Sequence, residues 1–312
     1  MWFLCALLTV LAWGGADLFY KKGARTDDPY SHLRTTIMVG LVMGVHAVCY
    51  MLIGRLPFSP MSLWRYLPVS FFYIVSMVVG YFGLRYLELS ISSPVQNASG
   101  ALVAILVCLF FRQGLSLWEI VGVVIICAGV ILLAVFEKRG EPLPPDATRE
   151  ERYGALAILF PILYCVLDAT GTFLDAIWLS EGDAEARFGW LENLLQSFNI
   201  MDEDEALLAY EFTFLLCAVL LYLFLRLVKK ERMNVFKEPV RGTAAILETA
   251  GQFFYVYAMS GRAVIAAPVV ASYSIVSVLL SRLFLREKLT RTQYAVIAAV
   301  MLGIAILGIF DA

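Results

Sequence analysis

Apolar residues follow one another in this chain in long blocks, separated by short stretches where Lys, Arg, Asp, Glu, Gly and Pro collect. A hydrocarbon core of about 30 Å is crossed by about 20 helical residues. Ten blocks approach or exceed that length: 3–20, 31–53, 64–86, 91–111, 116–136, 153–179, 206–228, 242–259, 263–285 and 290–309. Lipid offers no partner to a backbone N–H or C=O, so each block is expected to be a helix. The expected fold class is all-α, an integral membrane bundle of ten transmembrane helices.

The pattern repeats. Pro94, Val95, Leu106, Leu109, Phe110, Arg112, Leu115, Gly129 and Phe136 return as Pro268, Val269, Leu280, Leu283, Phe284, Arg286, Leu289, Gly303 and Phe310, each 174 residues later. The repeated region covers blocks three to five and eight to ten, so one unit holds five spans. An odd number of spans inverts the second copy, giving two inverted five-helix repeats with a substrate path between them. The expected boundaries are 1–136 for the first repeat, 137–152 for a linker and 153–312 for the second repeat, which carries an acidic loop at 180–205.

Composition supports lipid as the solvent: 61% of residues are hydrophobic, 16% are charged and mean hydropathy is +0.78. A net charge of −2 excludes a nucleic-acid partner, which needs a concentrated excess of Lys and Arg. Cys5, Cys49, Cys108, Cys127, Cys165 and Cys217 lie in apolar runs without CxxC spacing, and are taken as small buried hydrophobes. With only His32 and His46 as histidines, no metal and no cofactor are expected. The first block lacks a basic leader, and Lys21-Lys22 follows it, so it is expected to stay as helix one rather than be removed as a signal.

In the ten-span arrangement, 19 of the 24 Lys and Arg fall on one side, which places both termini outside the cell membrane. The acidic loop would lie outside too, and Leu191, Leu194, Leu195 and Phe198 within it fit a short amphipathic helix.

Ionisable groups inside a span cost about 2.5–3.5 kcal/mol to insert at a helix centre, so each calls for a reason. In span six Pro161, Tyr164, Asp168, Gly171 and Asp175 share one helical face, and Pro161 is expected to open the helix locally. In span eight Glu248, Gln252 and Tyr255 line up at i, i+4 and i+7. Span one offers Trp13 and Asp17, the latter expected to pair with Lys21 one turn on. His46 is expected to be a hydrogen-bonded packing residue. Pro94 and Pro268 are expected to interrupt spans four and nine at matching positions, with Gln96, Asn97 and Tyr273 close to the breaks. The predicted substrate-binding set is therefore Trp13, Gln96, Asn97, Tyr164, Asp168, Glu248, Gln252, Tyr255 and Tyr273. Asp168 and Glu248 are also the expected coupling residues. Both belong to the second repeat, which would then hold the charged part of the substrate alone.

The stretch GRAVIAAPVVASYSIVSVLLSRLFLREKLTRTQYAVIAAVMLGIAILGIF, from Gly261 to Phe310, resembles the EamA-type transporters of the drug/metabolite transporter superfamily. The resembling elements are small residues before a proline, a helix ending in Phe284-Leu-Arg-Glu-Lys-Leu289, and a last helix with Gly303; Trp13-Gly14 is similar as well. The resemblance implies ten helices in two inverted repeats and alternating-access movement of small metabolites. It also implies cytoplasmic termini, against the charge count. Two departures stand out. Gln113 occupies the place of Glu287 in the first copy. Aligned through Lys21, the essential first-helix Glu of the small four-helix multidrug members falls on Trp13, so their proton-exchange chemistry does not carry over.

Carboxylates and aromatic rings, with no Lys or Arg at the depth of Asp168, favour a cationic or zwitterionic substrate such as an amine, an amino acid or a choline-like molecule. The expected activity is secondary transport of such a metabolite, with protons as a candidate coupling ion and the chain acting as monomer or homodimer. A lipid or lipid-linked sugar flippase and a passive channel are the alternatives. No HExxH or GxSxG arrangement points to an enzyme.

Overall fold

The computed structural model describes residues 1–111, 116–137, 157–179, 187–191, 193, 201–287 and 290–310. Its helices are α1 (Trp2–Gly23), α2 (Ser31–Gly54), α3 (Pro60–Gly83), α4 (Leu89–Asn97), α5 (Ser99–Phe110), α6 (Leu117–Glu137), α7 (Leu159–Leu179), α8 (Glu203–Leu223), α9 (Pro239–Ala271), α10 (Tyr273–Leu280) and α11 (Arg291–Phe310). One π turn extends α8 through Val228, and another extends α10 through Leu285. No strand occurs among the described residues. The expected linker after Glu137, most of the acidic loop, Arg112 and Gln113 lie outside them; so do Leu194, Leu195 and Phe198 of the expected amphipathic helix.

The expected spans match these helices closely, but ten separate apolar helices are not what is found. Seven segments are long and apolar enough to cross a membrane, and the apolar stretches 117–132 and 291–307 are shorter. Expected spans eight and nine run together in α9, and the polar residues Glu248 and Gln252 dilute the hydropathy of its first part. Contacts with α1 nevertheless show the chain turning back within this run. Arg241, Glu248 and Gly251 meet Gly23, Tyr20 and Thr9 in descending order. Val276, Ser277 and Phe284 meet Gly14, Asp17 and Lys22 in ascending order. The reversal therefore falls between Gly251 and Val276.

Packing partners repeat under exchange of the two halves. The α1–α9 contact has its counterpart in α7 against α3, and α2 on α9 has its counterpart in α8 on α3. The pairs α2–α8, α4–α10 and α6–α11 each join equivalent spans. This is the arrangement of two inverted repeats. With no hydrophobic drive between helices in lipid, close approach depends on small side chains. At Gly40 a Cβ would collide with the Phe214 carbonyl oxygen and lie 2.7 Å from the Ala218 Cβ, so α2 and α8 meet backbone to side chain.

The breaks lie one turn later than expected. Pro94 and Pro268 sit inside α4 and α9, and the helices are interrupted at Ala98 and Ser272, four residues beyond each proline. The Ala98 amide still reaches the Pro94 carbonyl at 3.2 Å and the Ser272 amide reaches the Pro268 carbonyl at 3.2 Å. What each proline removes is its own N–H, so the helix is weakened before the proline, while the one-residue interruption follows it. The Pro161 expectation also changes. α7 begins at Leu159, which puts Pro161 in the first turn, where a missing N–H costs no helical hydrogen bond.

Most of the described basic residues gather at one end and lock it. Lys21 donates to the carbonyls of Leu84, at 2.9 Å, and Leu87, at 2.5 Å. Arg85 donates to the carbonyls of Arg25, Thr26 and Pro29. Arg34 pairs with Asp28 at 3.0 Å and with Glu231 at 3.1 Å, joining the two halves. Glu287 accepts from the amides of Leu89 and Ser90 at 3.1 and 3.0 Å, so a residue of the second repeat caps the first turn of α4. Replacing Glu287 by Ala should lower stability by about 1 kcal/mol, the usual value of an N-terminal cap; thermal unfolding of the purified variant measures it, and an unchanged midpoint would show the cap to be idle.

Candidate functional site

A cavity of about 70 Å³ lies at the centre of the bundle, between the two broken helices. It has room for a few waters. All nine residues of the predicted set line it: Trp13 from α1; Gln96 and Asn97 from α4; Tyr164 and Asp168 from α7; Glu248, Gln252 and Tyr255 from α9; and Tyr273 from α10.

The two breaks form its floor. Gly100, just past the first break, faces Ala271, just before the second; a Cβ there would strike the Ala271 side chain and lie 3.0 Å from the Ala267 carbonyl oxygen. Trp13 spans the lumen, with its indole N–H donating to the Glu248 carbonyl at 3.2 Å and its ring 5.1 Å from Tyr255 and 5.7 Å from Tyr273. Gly251 makes space for that indole, since a Cβ there would overlap the ring. Gly80 of α3 does the same for Tyr164.

Each carboxylate of the lining is held by hydroxyls. Asp168 accepts from Ser99 at 2.8 Å, and Glu248 accepts from Tyr20 at 3.1 Å. Asp17 also lines the cavity, which corrects two expectations. Lys21 is occupied with carbonyls, so it does not pair with Asp17; Asp17 instead accepts from Ser93 and Ser277, each at 2.6 Å. The first repeat therefore contributes a carboxylate, and the charge is not confined to the second. Trp13 and Asp17 stand four residues apart on α1 as Tyr164 and Asp168 do on α7, so the two entering helices present the same aromatic–acid pair. Among the described residues no Lys or Arg lines the cavity.

Tyrosines flank it on both sides. Tyr20 and Tyr81 lie 4.5 Å apart beside Glu248 on the basic-end side. Toward the other end Tyr66 donates to Asp175, and Tyr73 meets the Tyr255 hydroxyl at 2.6 Å and Thr172 at 3.0 Å. Asp175 is fully buried, at the end of the face predicted for span six, and lies outside the cavity lining. Tyr66, Tyr73 and Tyr81 were not singled out in the sequence. For the first two the signal was there: Tyr66, Tyr73, Met77 and Gly80 follow spacings of seven, four and three along one face of α3.

The EamA-like transporter family matches residues 1–135 and 202–309, one stretch in each half. The chain belongs to that family. No curated protein matches. A solved structure described only as "Crystal structure of protein" covers 99% of this chain and 96% of its own, with a TM-score of 0.66 at 14% identity, which speaks for the fold alone.

Within this EamA-like transporter, His46 is the packing residue expected, but its partner was not foreseen: its Nδ1 lies 2.8 Å from Glu211, whose carboxylate is fully buried against α2. Of the cysteines only Cys165 is buried, whereas Cys49 and Cys108 face outward from their helices, where a thiol is at home in lipid.

Proposed function

We propose that this EamA-like protein is a secondary transporter that carries a small cationic or zwitterionic metabolite across the cell membrane by alternating access, without chemistry on its cargo. The observation that carries the reading is a lumen with three carboxylates, Asp17, Asp168 and Glu248, many aromatic rings and, among the described residues, no basic side chain. Ammonium groups are held in this way, by aromatic faces and a carboxylate in a dry site. The amide nitrogens of Gln96 and Gln252 are buried without a hydrogen-bond partner among the described residues. A buried unsatisfied donor is costly, so a ligand carrying both an ammonium and an acceptor, such as an amino acid, suits the lumen better than a plain amine.

At about 70 Å³ the cavity is smaller than the roughly 300 Å³ at which ligand sites begin, so cargo enters only when helices part. The breaks at Ala98 and Ser272 are natural places for that motion. In this proposal Asp168 and Glu248 exchange a proton for the cargo's cationic group. Both termini are placed outside by the positive-inside rule, and labelling of a cysteine introduced at Ala312 in intact cells tests that placement.

Counterflow in proteoliposomes tests the function. A screen of amines, amino acids and choline-like compounds should find labelled cargo whose uptake is accelerated by the same compound on the far side. Uptake that is saturable yet indifferent to the far side would point to a channel. No uptake of any polar cargo, together with scrambling of labelled lipid, would replace the proposal with a flippase.

A further inference from the structure

Asp17 is nearly buried, and oxygen surrounds it. Its Oδ2 lies 2.6 Å from the Ser93 hydroxyl of α4 and 2.6 Å from the Ser277 hydroxyl of α10. The Ser277 hydroxyl is also 3.2 Å from the Tyr273 carbonyl oxygen. Asp17 lines the cavity. The one nearby ammonium, Lys21, is taken up by two carbonyls. Among the described residues the carboxylate is thus placed in the interior with hydroxyls around it and no counter-charge, an arrangement that is costly unless a proton or another cation completes it.

We propose that Asp17, Ser93 and Ser277, together with the Tyr273 carbonyl, form a binding site for a dehydrated alkali cation of about sodium's size at the crossing of the two broken helices. Hard cations take oxygen ligands, and in repeat-built transporters the irregular backbone at helix breaks is where small ions are coordinated. One carboxylate supplies a single negative charge, which suits a monovalent ion; calcium or magnesium sites draw on more acidic ligands. The hydroxyls now donate to Oδ2. Ser277 has a second acceptor in reach, the Tyr273 carbonyl, so its proton can turn away and leave a lone pair for the ion. Both hydroxyls stand at hydrogen-bond distance from Asp17, so an ion enters only as they turn aside. An ion here joins α1 and α4 of the first repeat to α10 of the second, so its arrival bears directly on the two breaks.

Thermal unfolding of the detergent-purified protein tests the site. The midpoint is followed while N-methylglucamine chloride is replaced stepwise by LiCl, NaCl or KCl at constant ionic strength, because a ligand of the folded state raises apparent stability by mass action. The expected result is a saturable rise that discriminates among the three ions, is absent in Asp17→Asn and persists in Asp168→Asn. Ser277→Ala, a milder change that serves if Asp17→Asn does not fold, should raise the half-saturating concentration at least tenfold. A flat response of the unmodified protein overturns the proposal, as does a rise that survives in Asp17→Asn or disappears only in Asp168→Asn. The assay involves no transport, so a flat response leaves the counterflow result to decide the transporter reading separately.

Discussion

The Asp168→Asn, Glu248→Gln double variant should lose exchange of cargo by a factor of roughly 10² to 10⁴, from about 1.5–3 kcal/mol for each charge-assisted contact and 1.4 kcal/mol per decade. Both changes keep an oxygen that can accept from Ser99 and Tyr20, so the hydrogen bonds around the lumen survive while the charge goes. The residual exchange should no longer follow an imposed pH gradient in vesicles. If the double variant exchanges cargo at the original rate, or keeps its dependence on the pH gradient, the two carboxylates are structural. Retained binding with lost exchange would assign them to the coupling step alone.

The second large effect concerns assembly. Gly40→Val should prevent α2 from seating on α8, because the new side chain meets the Phe214 carbonyl and the Ala218 methyl, neither of which belongs to a flexible chain end. Overpacking a well-fitted interior costs about 1–3 kcal/mol even where side chains can adjust, and here backbone must move. Most of the protein should be lost before purification, with the midpoint of any remainder well below that of the unmodified chain. Gly242→Ala is the matched control: the nearest atom to its added Cβ is the tip of Met38 at 3.6 Å. Gel-filtration yield in mild detergent reads both. Equal yields would show that the α2–α8 contact is looser than it stands here.

Much of this fold is visible in sequence because lipid leaves so few options. Any stretch apolar for about 20 residues must be a helix, and the recurrence of Pro94 as Pro268 relates the halves. The polar faces of α7 and α9 were equally visible, since a carboxylate within an apolar block stands out. What escaped was decided across the bundle. Asp17 has Lys21 one turn away on its own helix, and only the third dimension shows that Lys21 is engaged by Leu84 and Leu87 while serines from two other helices reach the acid. Glu211 was hidden in the same way, being paired with a histidine 165 residues distant. The breaks were misplaced by one turn because a proline marks where a hydrogen bond is missing, not where the helix is interrupted.

The tyrosine layers on either side of the cavity have an electrical meaning. Glu248 with Tyr20 and Tyr81 lies toward one approach, and Asp175 with Tyr66, Tyr73 and Tyr255 lies toward the other. Moving one elementary charge through 100 mV takes about 2.3 kcal/mol. A cationic cargo of the kind proposed above would do that work in two parts, one on each side of the lumen, so its loading and its release would respond separately to the membrane voltage.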